Sequence, residues 1–181
     1  MTQLLLLRHA KSEWDNPGLR DIDRPLAPRG QRAAADIARA ISDSGLLPDR
    51  VLCSPATRTR ETLAALRPYL GKENEVIFVD GLYESSPRDY LRAITQLGGD
   101  ADTLMVIGHN PATQGTAMAL AGAGEPAVLA DIAAKYPTGG LTVIAFDRDD
   151  WMGMTERSGR VTRFIKPRDL EAEPSGKDHQ D

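Results

Sequence analysis

Cysteine is nearly absent from this 181-residue chain, and the single one, Cys53, excludes both an internal disulfide and a cysteine-built zinc site. Flanked by Val51 and Leu52, it reads as a buried structural thiol, which fits a reducing, cytoplasmic compartment. An excess of positive charge is missing as well. Twenty-two Lys and Arg stand against 26 Asp and Glu, for a net charge of −4 and a pI near 5.4, which disfavours a nucleic-acid partner held by a broadly basic surface. Anions that bind here must use a local pocket. No apolar run is long enough to span a membrane or to form the core of a signal peptide, and the N-terminal run lacks a basic leader, so neither export nor a membrane partner is expected. Repeats and low-complexity linkers are lacking too, and 41% hydrophobic content over this length suffices for one sizeable core. Residues 1–168 are therefore expected to form a single domain. The segment 169–181, "DLEAEPSGKDHQD", is charged and poor in apolar residues; it reads as a flexible tail, which sets His179 aside.

What is present is a repeated alternation. Apolar runs of strand length occur at "QLLLLRH", "RVLCS", "EVIFVD", "TLMVIGH" and "LTVIAFD", with a weaker one at "RVTRFI". Several are apolar throughout, the pattern of strands covered on both faces. Between them lie segments with helical spacing, "RGQRAAADIARAISDSG", "TRTRETLAALRPYLG", "SPRDYLRAITQLGG" and "NPATQGTAMALAGAG", each ending at or near glycine. This order predicts an α/β fold, a three-layer α/β/α sandwich with a mostly parallel central sheet.

In such sheets ligands bind beyond the carboxyl ends of the strands. Arg8 and His9 occupy one such end, and His109, followed by Asn110 and Pro111 at a helix start, occupies another. A third element, "CSPATRTRET", follows the "RVLC" strand; Ser54 and Pro55 are expected to start a helix carrying Arg58 in its first turns. A dianionic phosphate needs about two positive charges and several fixed donors, and paired arginines supply planar forks that match its oxygens. Phosphoryl transfer asks a protein mainly for positioning and charge stabilisation. An imidazole between two arginines can attack phosphorus in line and form a phosphohistidine, which water resolves. No metal is required, because no carboxylate cluster accompanies the histidines, and no cofactor is implied. Taken singly, each residue also has a structural reading: a hydrogen-bonded strand-end histidine, a helix-entry cap at Ser12, a solvated Lys11, or an outer-face ion pair for Arg60.

In this order the motifs resemble those of the histidine phosphatase superfamily, which includes phosphoglycerate mutases and acid phosphatases. "LLLLRHAKSEWD" is similar to its strand ending in Arg-His, "CSPATRTRET" to its Ser-Pro block with a phosphate-binding arginine, "VIGHNP" to its second histidine block, and "RPLAPRGQRAA" to its entry into the first helix. "YPTGGLTVIAFD" resembles the closing strand of the short members, which takes the likeness to residue 146. The resemblance implies a phosphoglycerate mutase-like fold, with His9 as nucleophile, Arg8 and Arg58 clamping the phosphoryl group, and His109 donating a hydrogen bond and charge to it. Ser12 and Asn110 are further candidates for substrate binding. Within the superfamily, "RHAKS" and "GHNP" are most similar to the short SixA-like phosphohistidine phosphatases, which implies a phosphorylated substrate, among them phosphohistidine-bearing proteins. One departure is Asp15, which stands where many relatives have a phosphate-contacting asparagine; a carboxylate there must turn away or pair with Lys11 or Arg20.

An alkoxide leaving group needs a proton, and Glu84 in "GLYESSPRDYL" is the candidate acid by position, with a helix-entry carboxylate as the structural alternative. Phosphohistidine leaves more easily and needs less help. Two other functions fit the same residues: a small-molecule phosphomonoesterase, and a non-catalytic phosphate-binding module. A mutase fits poorly, because only 24 residues separate Glu84 from His109 and a helix uses many of them.

Overall fold

A computed structural model describes residues 1–171. In chain order the elements are β1 (Thr2–Arg8), α1 (Pro28–Asp43), β2 (Arg50–Cys53), α2 (Thr57–Leu66), β3 (Glu75–Phe78), α3 (Pro87–Leu97), β4 (Thr103–Gly108), α4 (Ala112–Leu120), β5 (Ala121–Ala123), α5 (Pro126–Ala134), β6 (Leu141–Phe146), β7 (Gly159–Ile165) and the four-residue α6 (Pro167–Leu170). The strands form one seven-stranded sheet in the order β3-β2-β4-β1-β6-β7-β5. β3, β2, β4 and β1 run parallel, β6 is antiparallel to both its neighbours, and β5 pairs parallel to β7. The fold is thus an α/β sandwich with a mostly parallel sheet.

The leucine run explains the layering. Leu4 to Leu7 are all fully buried. Strand geometry sends alternate side chains to opposite faces. Leu4 and Leu6 join Tyr90, Ile94, Ala117 and Ile132 of α3, α4 and α5 on one face, while Leu5 and Leu7 join Ile37, Ile41, Leu63 and Leu66 of α1 and α2 on the other. A strand with helices over both faces has no position where a polar residue is favoured until it leaves the core, and that happens at Arg8.

Three local outcomes differ from the sequence expectation. Helix α4 stops at Leu120, and Ala121–Ala123 instead adds a short edge strand on β7, with Ala121 opposite Gly159. Residues 126–134, which no helical segment above included, form α5 behind Pro126. The expected boundary at residue 168 falls inside α6, where Asp169 accepts the Lys166 N–H at 3.2 Å and Leu170 packs against the core. The rest of the segment 169–181, including His179, lies outside the described residues.

Candidate active site

Parallel pairing of β1 with β4 sets Arg8 opposite Gly108, so the residues that follow, His9 and His109, emerge side by side. Their ring centroids are 5.3 Å apart. The His9 N–H donates to the Gly108 carbonyl at 3.0 Å, which locks the two strand exits together. Gly108 itself is dictated by Tyr90: a Cβ there would sit 2.0 Å from the tyrosine hydroxyl, which accepts the His109 N–H at 2.8 Å. On the other side of His9, Gly30 lets α1 approach the loop; a Cβ would lie 1.9 Å from the Lys11 carbonyl oxygen. That carbonyl accepts the Ala27 N–H at 2.9 Å, at the entry to α1.

Helix α2 supplies the second arginine. Ala56 precedes its first residue, so Ser54 does not cap it. Ser54 is fully buried and pairs with His109 Nε2 at 2.7 Å instead. The repeated threonines of "TRTRET" are structural ties: Thr59 Oγ1 donates to the Ser54 carbonyl at 2.8 Å, and Thr62 Oγ1 accepts the Ala10 N–H at 3.1 Å. Glu61 accepts the Leu26 N–H at 2.9 Å. These bonds tie α2 to the end of β2, to Ala10 beside the nucleophile candidate and to Leu26 ahead of α1.

His9, Arg58 and His109 are only 6, 6 and 9% exposed, which is low for ionisable side chains beside one another. His9 Nδ1 faces the Ala10 carbonyl at 2.7 Å and must donate to it, so the neutral ring keeps its lone pair on Nε2. Burial pushes the His9 pKa down to about 4, with Arg58 and Arg8 adding to the effect. Burial, then Arg58 and His9, lower His109 to about 3. Both rings are therefore neutral near pH 7 in the ligand-free protein. Ser54 Oγ already accepts the Ala56 N–H at 3.4 Å, an arrangement that suits donation of its own proton to His109 Nε2 and assigns the ring proton to Nδ1, a buried atom without a partner among the described residues. Arg8 donates through Nη1 to the Tyr136 carbonyl at 2.8 Å, and its Nε is likewise buried and unpaired, as is Arg58 Nε.

Arg58 is fixed by Asp21, a residue that the sequence reading did not single out. Nη1 donates to the Asp21 carbonyl at 2.7 Å and Nη2 to Oδ2 at 3.1 Å. Oδ2 also accepts the Tyr83 hydroxyl at 2.7 Å, and Oδ1 accepts Arg24 Nε at 3.1 Å. Tyr83 first, and then Arg24 and Arg58, hold the Asp21 carboxyl at about 2. The Tyr83 ring meets His109 edge-on at 5.5 Å. Arg24, 8% exposed, donates to Ser12 Oγ at 2.7 Å, which orients that hydroxyl and leaves its own proton free.

Of the candidates, Arg8, His9, Arg58 and His109 gather at one place, and Ser12 sits beside them through Arg24. Asn110 turns away to helix α4: its Oδ1 accepts the Gln114 N–H at 3.2 Å, and its Nδ2 shares the Tyr136 carbonyl with Arg8 at 3.3 Å. Glu84 is exposed, has a φ of 51° and makes no hydrogen bond among the described residues. The carboxylate at the entry to α3 is Asp89, which accepts the Ser86 N–H and hydroxyl, both at 3.0 Å. Asp15 is exposed, and Arg20 pairs with Asp23 at 2.7 Å rather than with Asp15. Arg60 forms no ion pair among the described residues; it donates to the Pro55 carbonyl at 2.8 Å and lies over Phe78. Cys53 is buried, which pushes its thiol up to about 12. Asp21, Tyr83 and Tyr136 were missed because their role depends on loops that only the fold brings together; the clue in the sequence was a carboxylate three residues before Arg24 in "DIDRPL".

The model of the histidine phosphatase superfamily (branch 1) matches residues 4–92. The uncharacterized protein Rv1276c of Mycobacterium tuberculosis is 39% identical over 164 residues, which cover 90% of this chain and all of that one. Among solved structures, the protein assigned as phosphohistidine phosphatase SixA of Agrobacterium tumefaciens is 31% identical, with a TM-score of 0.77 over 92% of this chain and 98% of that one. Its counterpart from Nakamurella multipartitia is 28% identical with the same TM-score, over 92% and 96% of the two chains. By local motifs, full-length relatives and fold alike, this chain belongs to the histidine phosphatase superfamily.

Proposed function

We propose that this chain is a phosphatase that removes phosphoryl groups from phosphohistidine residues of proteins by way of a phosphorylated His9. The observation that carries the reading is the set of unpaired buried nitrogens, Arg8 Nε, Arg58 Nε and His109 Nδ1, on side chains that neighbour the His9 ring. A buried donor without a partner costs about 1–3 kcal/mol, a cost that the oxygens of a bound phosphoryl group remove. Nε2 attacks phosphorus, the phosphorus–nitrogen bond to the substrate imidazole breaks, and that imidazole takes up a proton as it leaves. Water then attacks the His9 adduct, releasing inorganic phosphate and restoring the neutral ring. A dianion in the site also offsets the neighbouring cations that, after burial, lower the His109 pKa, which favours donation from its Nδ1. Ser12, with its acceptor side taken by Arg24, adds a further hydroxyl donor.

The phosphohistidine preference rests on the environment of the two carboxylates nearest to the candidate acid role among the described residues, Asp21 and Glu84. Asp21, the carboxylate bound to Arg58, is held at about 2 and ties up its oxygens on Tyr83, Arg24 and Arg58. Glu84 is exposed. An imidazole leaving group tolerates this, whereas an alkoxide does not. The protein is assigned to the cytoplasm on its single buried thiol; no helix among the described residues is long and apolar enough to cross a membrane.

Quenching turnover of a radiolabelled phosphohistidine protein should trap an acid-labile adduct on His9, and His9→Ala should abolish both adduct and turnover. Label on another residue, with the variant still active, overturns the assignment; binding without any adduct makes the chain a phosphate-binding module. Glu84→Gln separates substrate classes. An equal, small effect on alkyl phosphate, aryl phosphate and phosphohistidine supports the phosphohistidine reading. A penalty that grows with leaving-group basicity makes Glu84 the general acid of a small-molecule phosphomonoesterase.

A further inference from the structure

The carboxyl edge of the sheet continues past the phosphoryl site. Beyond β1, over the start of β6 and the end of β7, a groove of about 740 Å³ runs between α1, the α5–β6 turn and α6. Lys11, Arg29, Arg32, Lys135, Lys166 and Arg168 line it. Against these six cations stand three carboxylates, those of Asp36, Asp131 and Glu171, so the groove is locally basic in a chain of net charge −4. Only Lys166 is neutralised, by Asp131 at 3.4 Å; the other five form no ion pair among the described residues. Lys11, Arg29, Arg32, Lys135 and Arg168 are all exposed. Along the chain one end of the groove adjoins the phosphoryl site: Lys11 lies two residues after His9, and Pro137 and Thr138 precede the Gly139 N–H that donates to the Arg8 and His9 carbonyls at 3.0 and 2.9 Å.

We infer that this groove docks an acidic polypeptide segment adjoining the phosphohistidine, a deepening that rests on the phosphohistidine reading above. Unpaired cations collected in one groove of an acidic protein favour an anionic partner and repel few of its groups. The three interspersed carboxylates disfavour a continuous polyphosphate such as single-stranded nucleic acid, whose charges cannot avoid them. A peptide can place a Glu at Arg29 and a Lys at Asp36. Ala33, Ala134, Pro137 and Pro167 give its apolar side chains a surface to cover.

The test compares two synthetic phosphohistidine peptides that differ only in flanking residues, Glu in one and Gln in the other. With the full chain, kcat/KM should be about tenfold higher for the Glu peptide at low salt, and the advantage should vanish near 0.5 M salt or in the double variant R29E/R32E. The variant should hydrolyse a small aryl phosphate at the parent rate, which also shows that it is folded. Measurable but equal turnover of the two peptides overturns the proposal. A second arm is independent of the chemistry: fluorescence anisotropy with the unphosphorylated Glu peptide and with a single-stranded oligonucleotide of equal length. Binding of the Glu peptide that R29E/R32E abolishes supports the groove even if neither phosphopeptide is dephosphorylated, in which case only the phosphohistidine reading fails. Tighter binding of the oligonucleotide overturns the acidic-peptide assignment.

Discussion

The two halves of the sheet's carboxyl edge are built on opposite principles. Over β3, β2, β4 and β1 the ionisable side chains are buried or, for Arg8, half-buried, and each is held by named partners: Arg58 by Asp21, Arg8 by the Tyr136 carbonyl, His9 by the Ala10 carbonyl and His109 by Ser54. Over β6 and β7 all the groove cations but Lys166 are exposed, and those five make no ion pair among the described residues. Buried and tied, a donor keeps one orientation and costs nothing to reorganise when charge develops. Exposed and free, a long cation adapts to varied partners, but each contact contributes little and is screened by salt. Chemistry that must treat every substrate alike suits the first half, and discrimination among substrates suits the second.

That contrast makes quantitative demands. Alanine at Arg58 or at His109 should have the largest effect, about 3 kcal/mol or more of transition-state stabilisation, and the loss in kcat/KM should be the same for peptide and aryl substrates. A loss confined to one substrate moves that residue into the recognition half. Next in size, Asp21→Asn keeps the shape but weakens the charge-assisted bonds to Arg58 and Arg24, so kcat should fall about tenfold for all leaving groups while the fold survives. Steady-state kinetics with two leaving groups checks this, and an unchanged kcat means that Arg58 holds its position without the carboxylate.

The smallest effect is a slope. His9 and His109 have pKa values near 4 and 3, below the ordinary value of about 6.5, so between these limits the unfolded chain binds more protons than the folded one. Their contribution to stability is full above about pH 6.5 and is lost as the pH falls through 4 and 3. Denaturation midpoints from pH 7 to 4 should therefore fall in the parent and fall less in His109→Gln. Imidazole NMR should show no midpoint above pH 5 for either ring. A midpoint near 6.5 for His9 would place it in the solvated half.

Sequence alone discloses the first half and hides the second, for a physical reason. An apolar run covered on both faces has one exit, so "LLLLRH" and "LMVIGH" announce where polar side chains must appear, and "SPATR" marks the arginine that joins them. Each of those statements concerns residues next to a strand. Asp21, Tyr83 and Tyr136 act from loops whose meeting depends on how α2 and α3 pack, and no local pattern encodes that. The groove is harder still, since Lys11, Arg29, Lys135 and Arg168 come from four separated stretches, each of which reads alone as an ordinary solvated face. At the level of elements, β5 escaped notice because "AGA" has no β-branched or aromatic residue and follows a helix directly.

The turn 136–140 belongs to both halves. Its Tyr136 carbonyl holds Arg8, its Gly139 N–H holds the carbonyls of Arg8 and His9, its Gly140 carbonyl accepts the Arg8 N–H, and Pro137 and Thr138 form the groove wall. The Tyr136 hydroxyl anchors it from below, donating to the Leu6 carbonyl at 2.6 Å and accepting from Thr142 at 2.8 Å. A ligand pressing on that wall thus bears on the backbone that aims the proposed nucleophile, so contact energy gained far from phosphorus can be spent on alignment at the reacting atoms. Tyr136 thus ties the groove wall to β1 beneath the site, and on the docking proposal a substrate shorn of its flanking segment should forfeit turnover rate as well as affinity.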